Sequence, residues 1–336
     1  MAYSNTTRDG RPGDLNVTRF QNLHVLNDLE IGGHIIGGGS LPLIHGTWFF
    51  VDPTDGAATN DGLTPDTAFA NISTAYTACT DGRGDGIVLL SRGTTTTATT
   101  SYLTAAITWS KSGITVVGIS APVASHQRSR ITNASTALAL TSILTISGSN
   151  NTFVNLSITN NGTSAGADNA VTVSGNRNAF INCHIATLVA EGAAADQYSL
   201  TVTGSENAFY GGTIGTDTVN RGNFASADLH LSGAVARNRF FGTEFLSFST
   251  GGTAHGAVKA TTTTGGRSTM FKGCTFINFG ITAQAAIVIQ SGANDRIYFS
   301  GGCDSFGFTA NGPAGLVYVS SAAPAASGAG GLATTV

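Results

Sequence analysis

One phrase recurs five times between residues 151 and 276: NTFVNLSI, NAFINCHI, NAFYGGTI, NRFFGTEF and TMFKGCTF. Its phenylalanines, Phe153, Phe180, Phe209, Phe240 and Phe271, stand 27, 29, 31 and 31 residues apart. A period of that size marks stacked structural repeats. A second phrase accompanies it: LTISG at 144–148, VTVSG at 171–175, LTVTG at 200–204 and LHLSG at 229–233, with IVIQSG at 287–292 as a variant. Both phrases alternate apolar and polar residues, the signature of a strand with one face buried. A single turn of this kind cannot bury its apolar face. Stacked turns can, because equivalent side chains fall above one another and backbone hydrogen bonds run between turns.

The pattern therefore predicts a right-handed parallel β-helix. Five residues after each phenylalanine stand Ile158, Ile185, Ile214, Phe245 and Phe276, an expected interior ladder. Three residues after it stand Leu156, Cys183, Gly212, Thr243 and Cys274, a mixed set that suits a corner. Asparagines beside the turns suit left-handed backbone. A propeller blade needs roughly 40–45 residues, so these intervals are too short for one.

The repeats occupy residues 87–320. Residues 47–86 read as a lead-in and capping segment, with helical spacing in AFANISTAYTAC and Asp66-Thr67 as the expected cap. Residues 1–46 form an N-terminal arm for anchoring or assembly, with Arg8, Arg11, Arg19, His34 and His45 as its contact candidates. Residues 321–336 are an Ala/Gly/Ser-rich tail.

Composition excludes several classes. Charged residues are 10% of the chain and the formal net charge is -3, so no basic field exists to hold nucleic acid. No run of 18 apolar residues predicts a membrane span, and the N-terminus lacks the apolar core of a secretory signal. The four cysteines, Cys79, Cys183, Cys274 and Cys303, form no CxxC pair. They read as free buried thiols, and structural zinc and redox chemistry are disfavoured.

Candidate chemistry is sparse. Asp217, Asp228 and Glu244 are the glycosidase candidates, with Glu191 and Asp196 beside them, but no spacing pairs any two across a groove. Arg221, Arg237, Arg239 and Lys259 are the available bases for a lyase, without a lyase cluster. Asp52, Asp55 and Asp61 sit in an Asp/Asn/Gly loop that offers oxygen ligands for calcium but lacks the EF-hand spacing. His184 follows Cys183 on a strand, so the two should face opposite ways, and His230 should point outward between Leu229 and Leu231. His24, His126 and His255 suggest no metal or base role. Arg83-Gly84-Asp85 reads as a turn. No cofactor is expected.

The stretch 48–90, WFFVDPTDGAATNDGLTPDTAFANISTAYTACTDGRGDGIVLL, resembles the segment that leads into pectate-lyase-like β-helix proteins of tailed bacteriophages. Asp52, Asn60, Asp61, Gly62, Thr64, Pro65, Ala68, Phe69, Ile72 and Ala75 carry the resemblance, and WSKSGITVVGIS at 109–120 resembles an early rung of the same family. The resemblance implies a virion protein made in the host cytoplasm. The short arm and tail favour a capsid decoration or small head-fibre protein, a homotrimer bound through residues 1–46 to other virion proteins, the major capsid protein among them. On that reading enzymatic activity is not expected; an enzyme of this kind would be a glycan hydrolase or lyase. The alternative is a tailspike or tail appendage that binds or cleaves host surface glycan.

Overall fold

The structure is a computed structural model. It describes residues 29–31, 34–36, 44–91, 100–123, 125, 127–138, 140–162, 169–188, 197–220, 226–248, 255–261, 269–280, 287–289, 297–308 and 317–319. The chain divides into two units, residues 1–43 and 44–336. In the first, Leu29–Ile31 pairs antiparallel with His34–Ile36.

The second unit is a right-handed parallel β-helix. Among the described residues, three all-parallel sheets of ten, eight and seven strands run along it. In the first sheet Trp48–Val51 is followed in order by Gly86–Leu89, Thr115–Gly118, Thr152–Val154, Ala179–Ile181, Ala208–Tyr210, Arg239–Phe241, Thr269–Lys272, Ile297–Ser300 and Val317–Val319. The second sheet includes Ser157–Asn160, His184–Thr187, Thr213–Gly215 and Glu244–Ser247. The third includes Asn169–Val173, Tyr198–Val202, Ala227–Ser232 and Gly256–Thr261. The sheet already starts at Trp48, ahead of the residue-87 boundary that the repeats suggest.

Each phenylalanine phrase spans two strands in two sheets. The bend between them needs a left-handed residue, supplied by Asn155, Asn182, Gly211, Gly242, Gly273 and Gly301, with φ of 49–63°. Asparagine and glycine tolerate that conformation best. The corner set that follows it, Leu156, Cys183, Thr243 and Cys274, is buried, and so is the interior ladder from Ile158 to Phe276.

Two stacks run through the interior. Phe153, Phe180, Phe209, Phe240 and Phe271 lie face to face with centroids 4.5–5.0 Å apart. Such spacing follows from the distance between adjacent strands, and each ring buries a large apolar area. Beside them runs an asparagine ladder. The backbone N–H groups of Ile114, Asn151, Asn178 and Asn207 donate to the Oδ1 atoms of Asn151, Asn178, Asn207 and Asn238, each at 2.9 Å. The Nδ2 groups of Asn178, Asn207 and Asn238 donate at 3.1 Å to the carbonyls of Gly148, Gly175 and Gly204. The ladder satisfies backbone groups that a turn would otherwise bury unpaired.

The helix is shorter than its sequence pattern, Ile72–Ala78, and its cap is Asn71, whose Oδ1 accepts from Thr74 N at 3.0 Å. Asp66 and Thr67 instead lie in a 3-10 turn capped by Thr64. Pro65 takes the first position of that turn, where its fixed φ suits a helical start, and the extended Ala68 ends the turn before the true helix begins. Ile72 and Ala75 face the core. At the other end Lys111 Nζ donates to the carbonyls of Tyr76, Thr77 and Cys79 at 2.6–2.9 Å, which satisfies the open C-terminal turn. Asp85 ties this end together. It accepts from Thr47 N at 2.8 Å, Thr80 N at 2.7 Å and the Arg83 guanidinium at 2.7 and 2.8 Å. Its side chain is fully buried.

Candidate functional site

The outward face of the first sheet is closed at its start and open further along. Near the start, Ala68 from the 52–69 loop packs on Val88 and Leu90, with Trp48 and Phe50 against them. From Thr152–Val154 onward, one outward row reads Val154, Ile181, Tyr210, Phe241, Lys272 by strand register. Ile181 is 38% exposed and Tyr210 45%, against 2% for the inward Phe180 and Phe209 beside them. The Tyr210 and Phe241 rings stack at 5.1 Å and 9°. Arg239 stands two residues before Phe241 on the same face, and Lys272 is exposed at the end of the row. The result is an apolar, aromatic track one rung-spacing in repeat, with cations at one end.

A charged corner flanks that face. Arg177, Glu206 and Arg237 occupy equivalent left-handed positions on successive rungs, with φ of 58°, 62° and 57°. Arg177 Nε lies 2.6 Å from Glu206 Oε2, and Arg237 pairs with Glu206 Oε1. The hydrogen bond from Arg237 holds the Glu206 carboxyl below its ordinary range. Arg237, a lyase-base candidate in sequence, is thus engaged in a surface ion pair.

The outward faces of the second and third sheets differ. Ser157, His184, Thr213 and Thr159 point away from the interior ladder, yet all are buried. Ser157 Oγ and His184 Nδ1 lie 3.0 Å apart, and His184 Nε2 is 3.3 Å from the Gly215 carbonyl. On the third sheet, Lys259 is 4% exposed and donates from Nζ to Tyr198 Oη at 2.9 Å. The His230 ring lies 4.1 Å from the Tyr198 ring, and its Nε2 is 2.7 Å from Thr261 Oγ1. Lys259 is therefore a partnered, buried cation, and a substrate has no open path to it.

The three carboxylates do not assemble. Asp217 is exposed in a bend after the second sheet. Glu244 is half-buried at the first position of its strand, on that sheet's outward face. Asp228 is inside, at the register position that Ile143, Ala170 and Ala257 fill in the core. Its Oδ2 accepts from Ser247 Oγ and lies 3.8 Å from His255 Nε2, while Ser226 Oγ and His255 Nδ1 are 2.9 Å apart. The sequence did not single out His255, Ser226 or Ser247. Only the stacking order brings them to Asp228. This Ser/His/Asp group resembles a hydrolytic set in type, but all four side chains are at most 2% exposed, so no reacting atom reaches them. Asp217 is at the surface and Asp228 is buried, so the two aspartates do not share a groove.

The loop aspartates hold turns. Asp52 is buried, and its Oδ1 accepts from Thr54 N at 2.9 Å and Asp55 N at 3.3 Å. Asp61 Oδ1 accepts from Thr67 Oγ1 at 2.6 Å and Leu63 N at 3.0 Å, which lowers its carboxyl below the ordinary value. Asp55 is exposed. Among the described residues no group of three or more His, Cys, Asp or Glu side chains is placed to hold a metal ion. The Arg83-Gly84-Asp85 string folds on itself, with Asp85 buried under Arg83. His45 is exposed, and His34 lies in the strand His34–Ile36. Arg8, Arg11, Arg19, His24, His126, Glu191, Asp196 and Arg221 lie outside the described residues. No described helix is long and apolar enough to cross a membrane.

Fold and surface together define a parallel β-helix protein whose first sheet carries an outward row with Ile181 and Tyr210 exposed and Phe241 half-buried. No protein-family model matches the chain, and no curated protein matches it. Among solved structures it is similar to the pectate lyase Pel9A, at 14% identity and a TM-score of 0.48, over 81% of this chain and 78% of that one. It is also similar to the pectin methylesterase PemA from Erwinia chrysanthemi, at 15% identity and a TM-score of 0.42, over 76% and 89%. A carrot pectin methylesterase shows 12% identity and a TM-score of 0.38, over 83% and 89%. These similarities correct one expectation. The solved structures named here are enzymes, so the architecture gives no ground for reading the chain as non-enzymatic.

Proposed function

We propose that this protein engages an extended, acidic polysaccharide along the outward face of its first sheet. The observation that supports this most is the outward row of exposed Ile181 and Tyr210, half-buried Phe241 stacked on Tyr210, and exposed Lys272. Sugar rings present C–H faces that pack on aromatic rings, and single-row aromatic exposure on a regular strand spacing suits a linear polymer of rings. Lys272 and Arg239 offer charge-assisted hydrogen bonds to carboxylates at one end of the row. Contiguous exposed apolar side chains of this kind suit a binding surface.

The setting we propose is a phage appendage that presents this face to host surface glycan, with residues 1–46 as its attachment segment. The lead-in resemblance at 48–90 supports that setting. Deleting residues 1–46 should leave a folded solenoid that no longer joins virions; normal incorporation of the truncated protein would refute the attachment role.

The binding reading is tested by affinity electrophoresis through gels containing polygalacturonate or purified capsular polysaccharides. The wild-type chain should be retarded by an acidic glycan, and Tyr210→Ala should be retarded clearly less at the same glycan concentration. Equal retardation of both proteins would sink the reading. The same incubations, read for new reducing ends and for unsaturated uronate absorbance, report cleavage.

A further inference from the structure

Cys274 and Cys303 are 29 residues apart in sequence and show no motif. The register makes them neighbours. Thr275 pairs with Asp304, so the two cysteines precede paired residues on adjacent rungs of the second sheet. The chain from Ser300 to Asp304 is one residue longer than the chain from Lys272 to Thr275, and the extra residue falls in the Gly301-Gly302 pair. Both glycines have left-handed backbone, with φ of 63° and 77°. That bend turns the Cys303 sulfur under its neighbour, where Cys274 N donates to Cys303 Sγ at 3.3 Å. Adjacent parallel strands place such Cα atoms about 4.8 Å apart, within the range a disulfide spans.

We propose that Cys274 and Cys303 form a reversible thiol–disulfide clasp across the last two described rungs of the second sheet. The strand it secures, Asp304–Phe306, is the last of that sheet among the described residues and is exposed at all three positions. Edge strands of this kind fray and pair with other chains unless they are held. Chemistry assigns each thiol a role. The hydrogen bond from Cys274 lowers the Cys303 thiol against the opposing effect of burial, which favours its thiolate. Cys303 is also half-exposed, whereas Cys274 is buried and its thiol is pushed up, first by the bond to Cys303 and then by burial. Cys303 is the attacking sulfur and Cys274 the resolving one. With a small-molecule disulfide as oxidant, Cys303 thiolate attacks one sulfur and releases one thiolate, forming a mixed disulfide. That thiolate takes the Cys274 proton, and Cys274 sulfur then displaces the second. The sum is two protein thiols and one small disulfide giving one protein disulfide and two small thiols.

The test uses the full folded chain with glutathione disulfide. Two of the four thiols should disappear, the intact mass should fall by two hydrogens, and unreduced peptide mapping should join Cys274 to Cys303. Dithiothreitol should restore all four thiols. Cys79 and Cys183, buried with thiols pushed up to about 12, should stay unmodified as internal controls. Cys274→Ser should stop the reaction at glutathione on Cys303, and Cys303→Ser should abolish it. If the serine at 274 prevents folding, the Cys303→Ser arm and the wild-type map still decide. A stable glutathione adduct on wild-type Cys303, four unreacted thiols, or a crosslink between chains would each overturn the proposal.

Discussion

Two outward faces of the same solenoid meet their surroundings in opposite ways. On the first sheet, Ile181 and Tyr210 point out and remain exposed. On the third sheet, Tyr198 and Lys259 point out and are buried against each other. The strands are alike in backbone and in alternation, so the alternation alone does not decide which face is wet. The difference teaches that a side chain facing out of a β-helix can stay open to solvent, as Ile181 and Tyr210 do, or join a second packed layer over the sheet, as Tyr198 and Lys259 do.

Substitutions on the two faces should separate these classes. Lys259→Ala removes both a donor to Tyr198 and a buried aliphatic stem. It should cost about 3 kcal/mol, read as a lower denaturation midpoint. The same loss of stability from Tyr210→Ala would erase the distinction. Asp85→Asn sits under neither face and serves as a reference. It should cost about 2 kcal/mol at neutral pH, a figure already discounted for the exposed Arg83 partner. Burial raises the Asp85 carboxyl, but the Arg83 guanidinium and the Thr80 and Thr47 amides outweigh it and hold the value below the ordinary 3.8. Its stabilisation is therefore complete above the unfolded value and is lost as pH falls through the depressed folded one. The gap between wild type and Asp85→Asn should be constant near neutrality and close in acid, as followed by denaturant titration. A gap that widened in acid would contradict this assignment.

Tyr210→Ala should lower stability by less than about 1 kcal/mol while weakening glycan binding roughly tenfold, the worth of one stacked ring. Calorimetry on both quantities checks it. The smallest effect belongs to Glu206→Gln at the exposed corner. Thermal midpoints should shift slightly at low salt and coincide at high salt, because exposed ion pairs are screened.

Much of the fold was legible because a solenoid writes its period into the chain. Phe153 to Phe271 recur at the interval of one turn, and each ring needs a like ring above and below it. The αL bends were legible in part as Asn155, Asn182 and the glycines of the later phrases. The site was much less legible. Tyr210 and Phe241 stand beside the repeated phenylalanines and in sequence look like more of the same strand. Asp228 reads in sequence like any surface carboxylate, because only its register with Ile143, Ala170 and Ala257 on other rungs marks position 228 as buried.

The sequence by itself determined the repeat, the inward ladders and the turn chemistry. Each depends on residues within one rung or on identical residues one period apart. Only the tertiary structure decided which outward face stays in water, where Asp228 meets His255, and that Cys274 lies against Cys303. Those pairings depend on how many residues each bend consumes before the next strand begins. A single additional residue at Gly301-Gly302 changes the alignment, and such insertions carry no periodic signal.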